Sequence, residues 1–250
     1  MSDYQLYQGD CIEIMKLIDD KSIDMILCDL PYGTTKCKWD SLIPFDELWE
    51  QYERIIKDNG CICLFSQMPF TIALAASNLK LFRYEWIWEK TKSTGHLNAN
   101  KMPMRVHENI LIFYKKLPVF NPQMKIVENS EKRGEIVRSG NGSTLYGKQV
   151  KSTYILTDKR YPTDIITFSK DEKTWHPTQK PLKLLEYFIK TYTNPNEVVL
   201  DNCMGSGSCG IACAYTGRKF IGIEKDEKYF KLAKDVVTRA FEERIKQEWY

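Results

Sequence analysis

The sequence predicts an α/β layered fold, and three features carry that prediction. Strand-like and helix-like stretches alternate along most of the chain. The strand-like runs at 23–28, 61–65 and 198–200 are apolar almost throughout, as parallel strands buried on both faces are. Two of these runs stop at a carboxylate, Asp29 and Asp201, and open α/β sheets bind their ligands at such strand ends.

Residues 4–7 alternate like a short strand, and Gly9-Asp10 turns the chain into a helix at 11–17 with Cys11, Ile14, Met15 and Ile18 on one face. The strand at 23–28 is broken only by Asp24. Pro31 lacks an N–H and cannot continue a central ladder. Cys28-Asp29-Leu30-Pro31-Tyr32-Gly33 therefore gathers a carboxylate, a stiffened turn and an aromatic ring at one strand end. A plain turn that happens to contain Asp and Tyr is the alternative. Residues 45–57 carry Phe45, Leu48, Trp49, Tyr52, Ile55 and Ile56 at helical spacing, with Asn59-Gly60 as a stop signal, and read as core packing. A strand at 61–65, a helix at 68–79 and strands at 82–88 and 109–114 follow.

Residues 118–165 break the alternation, being polar and rich in Gly, Ser, Asn, Lys and Arg. So long a stretch is either a small recognition lobe or a partly mobile functional insertion. Regularity returns with a helix at 181–192, a strand at 198–200, a helix at 210–215, a strand at 220–223 and a helix at 229–248. The domain organisation expected is 1–117 and 166–250 as two halves of one domain, with 118–165 inserted.

Composition narrows the function classes. At 250 residues and 43% hydrophobic, one sizeable core is possible, and no apolar run reaches membrane-helix length. Residues 1–5 show no basic or apolar leader, and the eight cysteines have no CxxC spacing. A reduced cytoplasmic protein without a metal site is expected. The net charge of +3 is uneven: residues 89–165 hold 14 Lys and Arg against 7 Asp and Glu. A basic middle suits a polyanion, although an ordinary solvated surface has the same composition.

A second stretch carries chemistry. Leu200-Asp201-Asn202-Cys203-Met204-Gly205-Ser206-Gly207 joins a strand to a helix through glycines, which let a ligand approach the backbone and the helix N-terminus. After the next strand comes Glu224, about 20 residues on, the spacing of a ribose-binding acid in a Rossmann-like unit.

Together, Asp29-Leu30-Pro31-Tyr32 and this glycine turn resemble the amino-methyltransferases of DNA, with their (D/N/S)PPY and FxGxG motifs. Gly9-Asp10-Cys11, His107-Glu108-Asn109-Ile110-Leu111 and His176-Pro177-Thr178-Gln179-Lys180-Pro181 match as well. The order, catalytic motif first and cofactor motif last, resembles the β class. That implies a circularly permuted Rossmann-like methyltransferase fold, a three-layer, mixed but mostly parallel sheet with an inserted target-recognition region. The resemblance covers nearly all of the chain except 118–165. Leu30 replaces the usual first proline, and Asn202-Cys203-Met204 stands where relatives carry Pro-Phe, so the aromatic cover of the cofactor is absent or comes from elsewhere.

The resemblance implies transfer of a methyl group from S-adenosylmethionine to adenine N6 in double-stranded DNA. Cytosine N4 methylation, an RNA or protein amide methyltransferase and a non-catalytic DNA-binding protein on the same fold are the rivals. Asp29, Leu30, Pro31 and Tyr32 would form the catalytic turn, with Tyr32 stacking on a flipped base. Asp10, Cys11, Asp29, Thr178, Lys180, Asp201, Cys203, Gly205, Ser206, Gly207 and Glu224 would border the cofactor. Of these, Glu224 would take the ribose, and Thr178 and Lys180 the methionine carboxylate. A solvated lysine at a helix start is the plain reading of Lys180. Arg133, Arg138, Lys148 and Arg160 are the DNA-contact candidates. A homodimer and a partner restriction endonuclease belong to the same expectation, in a bacterial or phage-infected cell.

Overall fold

The computed structural model describes residues 3–33, 41–126, 135–138, 152–155, 158–171 and 179–248. They fall into two compact units, Met1–Asn121 with Asp164–Tyr250, and Pro122–Thr163. In the first unit the order is β1 (Tyr4–Gln8), α1 (Cys11–Met15), β2 (Ile23–Asp29), α2 (Phe45–Ile55), β3 (Ile56–Ser66), α3 (Phe70–Ser77), β4 (Phe82–Thr94) and β5 (Arg105–Phe113). The second unit contributes β6 (Lys125–Ile126), β7 (Glu135–Arg138), β8 (Ser152–Ile155) and β9 (Lys159–Arg160). It holds two small antiparallel ladders, β6 with β9 and β7 with β8. The first unit resumes with β10 (Ile165–Phe168), α4 (Leu182–Tyr192), β11 (Val198–Asp201), α5 (Ser208–Thr216), β12 (Lys219–Glu224) and α6 (Glu227–Glu248).

Eight strands make one sheet in the order β1-β12-β11-β2-β3-β5-β4-β10. The first five run parallel, β5 is antiparallel to both neighbours, and β10 is parallel to β4. Alternate side chains feed two cores, as the two-residue period of a strand demands. Met25, Leu27, Cys61 and Cys63 pack with Phe188, Ala212 and Val237 of α4, α5 and α6. Ile26, Cys28, Ile62 and Leu64 pack with Met15, Trp49 and Leu74 of α1, α2 and α3. Three layers result. From β11 the chain steps outward to β12, and from β2 it steps the other way to β3. The crevice between β11 and β2 is thus the switch point, where such sheets take their ligands.

Several expectations are corrected. Asn59-Gly60 does not end a helix: α2 stops at Ile55, and Ile56 is already extended at ψ 136°. Residues 57–60 bulge out where the β2–β3 register slips between Ile23 and Met25. A Cβ on Gly60 would stand 2.9 Å from the Asp24 carbonyl and 2.7 Å from Ile56, so this glycine serves a close approach of strands. Asp24, the one charge in β2, is satisfied there by Lys57 Nζ at 2.6 Å and by the Val198 N–H at 2.9 Å. The inserted segment is shorter than expected. Asn121 is tied to Thr191 O and Lys190 O, Asp164 O accepts from the Ile87 N–H, and β10 closes the edge of the main sheet.

Candidate active site

β2 and β11 run side by side, so their terminal carboxylates, Asp29 and Asp201, open onto one cavity of about 800 Å³. A second groove of about 510 Å³, between α3 and β4, is more open and mostly apolar, with Glu85 its one charged group. The chemistry therefore belongs to the first.

On the catalytic side, Asp29 ends its strand because Leu30 and Pro31 leave the ladder. Leu30 is buried, while Pro31 and Tyr32 line the cavity. Tyr32 donates its hydroxyl to Asp29 Oδ1 at 2.6 Å and stacks on Phe70, ring centres 5.0 Å apart. Burial, with the charges of Asp29 and Glu108 adding, pushes the Tyr32 phenol well up, so it remains a donor.

Lys180 is buried at the cavity wall, which corrects the plain reading of it as a solvated lysine. Its ammonium lies 2.5 Å from Asp29 Oδ2 and 3.3 Å from Glu108 Oε2, and 5.1 Å over the Phe65 ring. Glu108 Oε1 in turn lies 2.5 Å from Lys90 Nζ. At Oε2 the geometry gives charge attraction without a well-aligned hydrogen bond. Two cations and two anions thus alternate as Lys90, Glu108, Lys180, Asp29. Burial works against the Lys180 charge, yet Asp29 and Glu108 outweigh it and hold its pKa above the ordinary lysine value. Glu108 is held below the ordinary glutamate value for the matching reason: Lys180 and Lys90 overcome its burial.

On the other side, the turn after β11 is built by Gly205 and Gly207, both left-handed at φ +49° and +79°. A Cβ on Gly207 would meet the Ala233 backbone at 3.1 Å, so this glycine lets α6 close on the turn. Beside Gly205 a Cβ would meet only Cys203 O, at 4.0 Å, and that side faces the cavity. Glu224 braces the turn, accepting from the Gly205 N–H at 2.9 Å and the Asp226 N–H at 2.8 Å. Burial is the larger influence on Glu224 and raises its pKa despite those N–H groups. Tyr52 of α2 donates to Asn202 Oδ1 at 2.5 Å, so the helix read as pure core also fixes this turn.

Asp10 caps α1 through the Ile12 N–H at 3.0 Å and lies 3.2 Å from Lys225 Nζ. Cys11, Cys28 and Cys203 form a thiol cluster beneath the turn. The Cys203 contact lowers the Cys11 thiol, and burial pushes Cys28 up to about 12. Asp10, Cys11, Cys203 and Ser206 all line the cavity, and so does Tyr229, an aromatic ring on the Glu224 side. Thr178, Arg133 and Lys148 lie outside the described residues, as do His176 and the Arg138 side chain. Arg160 is exposed on β9.

Burial, reinforced by Asp29 and Glu224, pushes Asp201 up to about 7, against the Cys203 N–H that its Oδ1 accepts at 3.1 Å. An acid that holds its proton more tightly when folded favours the fold below pH 4. That contribution is lost as the pH rises to about 7, and it stays lost above. Asp201→Asn keeps the acceptor and removes the titration. Unfolding free energies from denaturant titration should match wild type near pH 4 and exceed it by roughly 1–3 kcal/mol at pH 8; an equal difference at both values would contradict this account of Asp201.

Sequence reading passed over Lys90, and gave no site role to Glu108, which stood in a matching motif, or to Tyr52, which read as core. The one signal for Lys90 was its place directly after Trp86-Ile87-Trp88-Glu89, since a lysine next to buried strand positions needs an anionic partner.

Residues 23–235 match the family described as DNA methylase (N6_N4_Mtase). M1.MboII of Moraxella bovis, named a type II methyltransferase, is 27% identical over 94% of this chain and 96% of its own. YhdJ of Escherichia coli strain K12, named a DNA adenine methyltransferase, is 29% identical over 91% of this chain and 80% of its own. Among solved structures, the M1.HpyAVI–SAM complex is 28% identical, with a TM-score of 0.63 over 93% of this chain and 99% of that one. The cytosine-N4-specific PvuII DNA methyltransferase is 16% identical, with a TM-score of 0.67 over 98% of this chain and 94% of that one, which is a likeness of fold alone.

Proposed function

The chain belongs to the DNA methylase family, and from that premise we propose that it methylates adenine N6 at a defined short sequence in duplex DNA. It is an S-adenosylmethionine-dependent DNA amino-methyltransferase. Adenine as the target base, and the roles of single residues, are our own reading. One juxtaposition carries it: the Asp29 turn and the glycine-rich turn face each other across neighbouring strands and share a cavity. YhdJ, named a DNA adenine methyltransferase, supports the choice of base.

The residues present fit the cofactor. Gly205, Ser206 and the N-terminus of α5 would hold the methionine part, Glu224 the ribose hydroxyls, and Asp10 and Cys11 would border the base. S-adenosylmethionine supplies, when bound, an electrophilic methyl group on a sulfonium. The remaining work is positioning. The amine lone pair of adenine is delocalised into the ring. Asp29 and the backbone carbonyl of Leu30 would accept its two N–H hydrogens and turn the lone pair out of the plane. Asp29 Oδ1 has one lone pair engaged by Tyr32 and a second left for the amine. Tyr32, backed by Phe70, offers its ring to a base taken out of the duplex. Lys180 at Oδ2 holds the carboxylate in place.

The unit Pro122–Thr163 is the proposed reader of DNA sequence, through Arg133, Arg138, Lys148 and Arg160. A homodimer and a partner restriction endonuclease complete the proposal, since relatives such as M.HpaI are named type II methyltransferases. Among the described residues no helix is long and apolar enough to cross a membrane.

Glu224→Ala should weaken S-adenosylmethionine binding roughly ten- to a hundredfold, since hydrogen bonds to a charged acceptor contribute about 1.5–3 kcal/mol. Unchanged affinity by calorimetry would move the ribose elsewhere. The function itself is tested by nucleoside mass spectrometry of DNA incubated with the protein and cofactor. N6-methyldeoxyadenosine is expected. N4-methyldeoxycytidine would change the base, and unmodified DNA would overturn the reading.

A further inference from the structure

Beyond Lys90, the last β4 residue paired with β10, β4 leaves the body of the sheet together with the start of β5. Pairing slips from Glu89 opposite His107 to Thr94 opposite Arg105, and the chain then turns back through residues 95–104. β2 and β3 are parallel and β5 is antiparallel to β3. The turn between β4 and β5 therefore rises from the end of the sheet that carries Asp29. Its root is fixed at the rim of the cavity: Thr94 lines that cavity, and Arg105 Nη1 donates to Gln67 Oε1, also in the lining, at 2.8 Å. Its tip is a defined turn. Gly95 is left-handed at φ +90°, His96–Asn98 is a 3₁₀ turn, and Asn98 O accepts from the Lys101 and Met102 N–H groups at 2.8 and 3.0 Å.

Two features of this arm are unexplained by the fold. Leu97, in the 3₁₀ turn, is 88% exposed, the highest value for a large apolar side chain among the described residues, and Met102, Met104 and Val106 are exposed behind it. Single exposed apolar residues are ordinary, but four within ten residues of a rigid turn are a surface. Residues 91–107 also contain Lys92, Lys101 and Arg105 and no Asp or Glu. A cationic stem with an apolar tip, standing beside a pocket that takes a base, is complementary to duplex DNA: cations for phosphates, and an apolar wedge for the base stack.

Resting on the methyltransferase reading above, we propose that this β4–β5 arm enters the duplex at the target, with Leu97 filling the space the flipped base leaves and Lys92 and Lys101 on the flanking phosphates. Flipping a paired base costs unstacking and unpairing, and the cost is least where the base is already mismatched. Leu97 then acts on that step alone and touches neither the cofactor nor the amine.

The test uses the full chain and two synthetic duplexes built on the methylated sequence, one with the target adenine paired and one with it opposite an abasic site. Leu97→Gly should lower the methylation rate on the paired duplex about ten- to a hundredfold and leave the abasic duplex within about threefold of wild type. Lys92→Ala and Lys101→Ala should each reduce the salt slope of DNA binding by about one. Equal rates for Leu97→Gly and wild type on the paired duplex would overturn the proposal. So would an equal loss on both duplexes, which is the mark of a structural defect. A change in sedimentation mass with no change in the ratio of the two rates would assign the tip to a second copy of the chain instead. Failure of the wild type to methylate either duplex would reject the methyltransferase reading itself, an outcome distinct from all of these.

Discussion

Asp29→Ala is expected to lower the methyl-transfer rate by about two to three orders of magnitude, the size of effect seen when one preorganised transition-state contact is removed. S-adenosylmethionine affinity should stay within about threefold, because Glu224 and the glycine turn are untouched. The loss should appear in kcat, since Asp29 acts on an amine whose lone pair is freed only as the reaction proceeds. Asp29→Asn retains one acceptor oxygen and should fall between the two. Single-turnover kinetics with saturating cofactor separates these cases, and near wild-type turnover by the alanine variant would remove Asp29 from the mechanism.

Glu108→Gln should be nearly as damaging although Glu108 reaches Asp29 only through Lys180. Wild type balances two ammonium groups with two carboxylates in a buried site. Without the Glu108 charge, one cation is left uncompensated, and breaking a buried pair in this way costs about 3–5 kcal/mol. Lys180 loses one of the two anions that raise its pKa, so the high-pH limb of kcat should move to lower pH. Adding Lys90→Met restores neutrality, and the double variant should recover part of both stability and rate. A double variant no better than the sum of its parts would show that Glu108 packs without steering Lys180.

Much of the site was legible because its parts are local. A strand that ends on Asp29 before a proline announces itself within six residues, and so does the Leu200–Gly207 turn. Glu224 follows at the distance that one helix and one strand require. The fold class was legible for a related reason: strands buried on both faces cannot alternate in polarity, and residues 23–28 and 61–65 do not. What escaped was non-local. Lys180 meets Asp29 across 151 positions of sequence, and nothing in the Thr178-Gln179-Lys180-Pro181 stretch says that its lysine is buried. Tyr52 carries the same periodicity whether its hydroxyl is idle or holds Asn202. The start of β3 escaped because Ile55 and Ile56 continue a helical pattern, while pairing with β2 draws Ile56 into the sheet. Edge strand β10 escaped because four residues at the border of a polar stretch give too little pattern to read.

The central claim is that Asp29 holds the target amine at the mouth of the cofactor site. The most direct measurement is the distance from the Asp29 carboxylate to the exocyclic nitrogen, in a crystal of the protein with S-adenosylhomocysteine and a duplex carrying the methylated sequence. The account predicts a flipped adenine against the Tyr32 ring, with its N6 within about 3.2 Å of an Asp29 oxygen. An amine bound by other groups, with Asp29 still closed on Tyr32 and Lys180 alone, would contradict it.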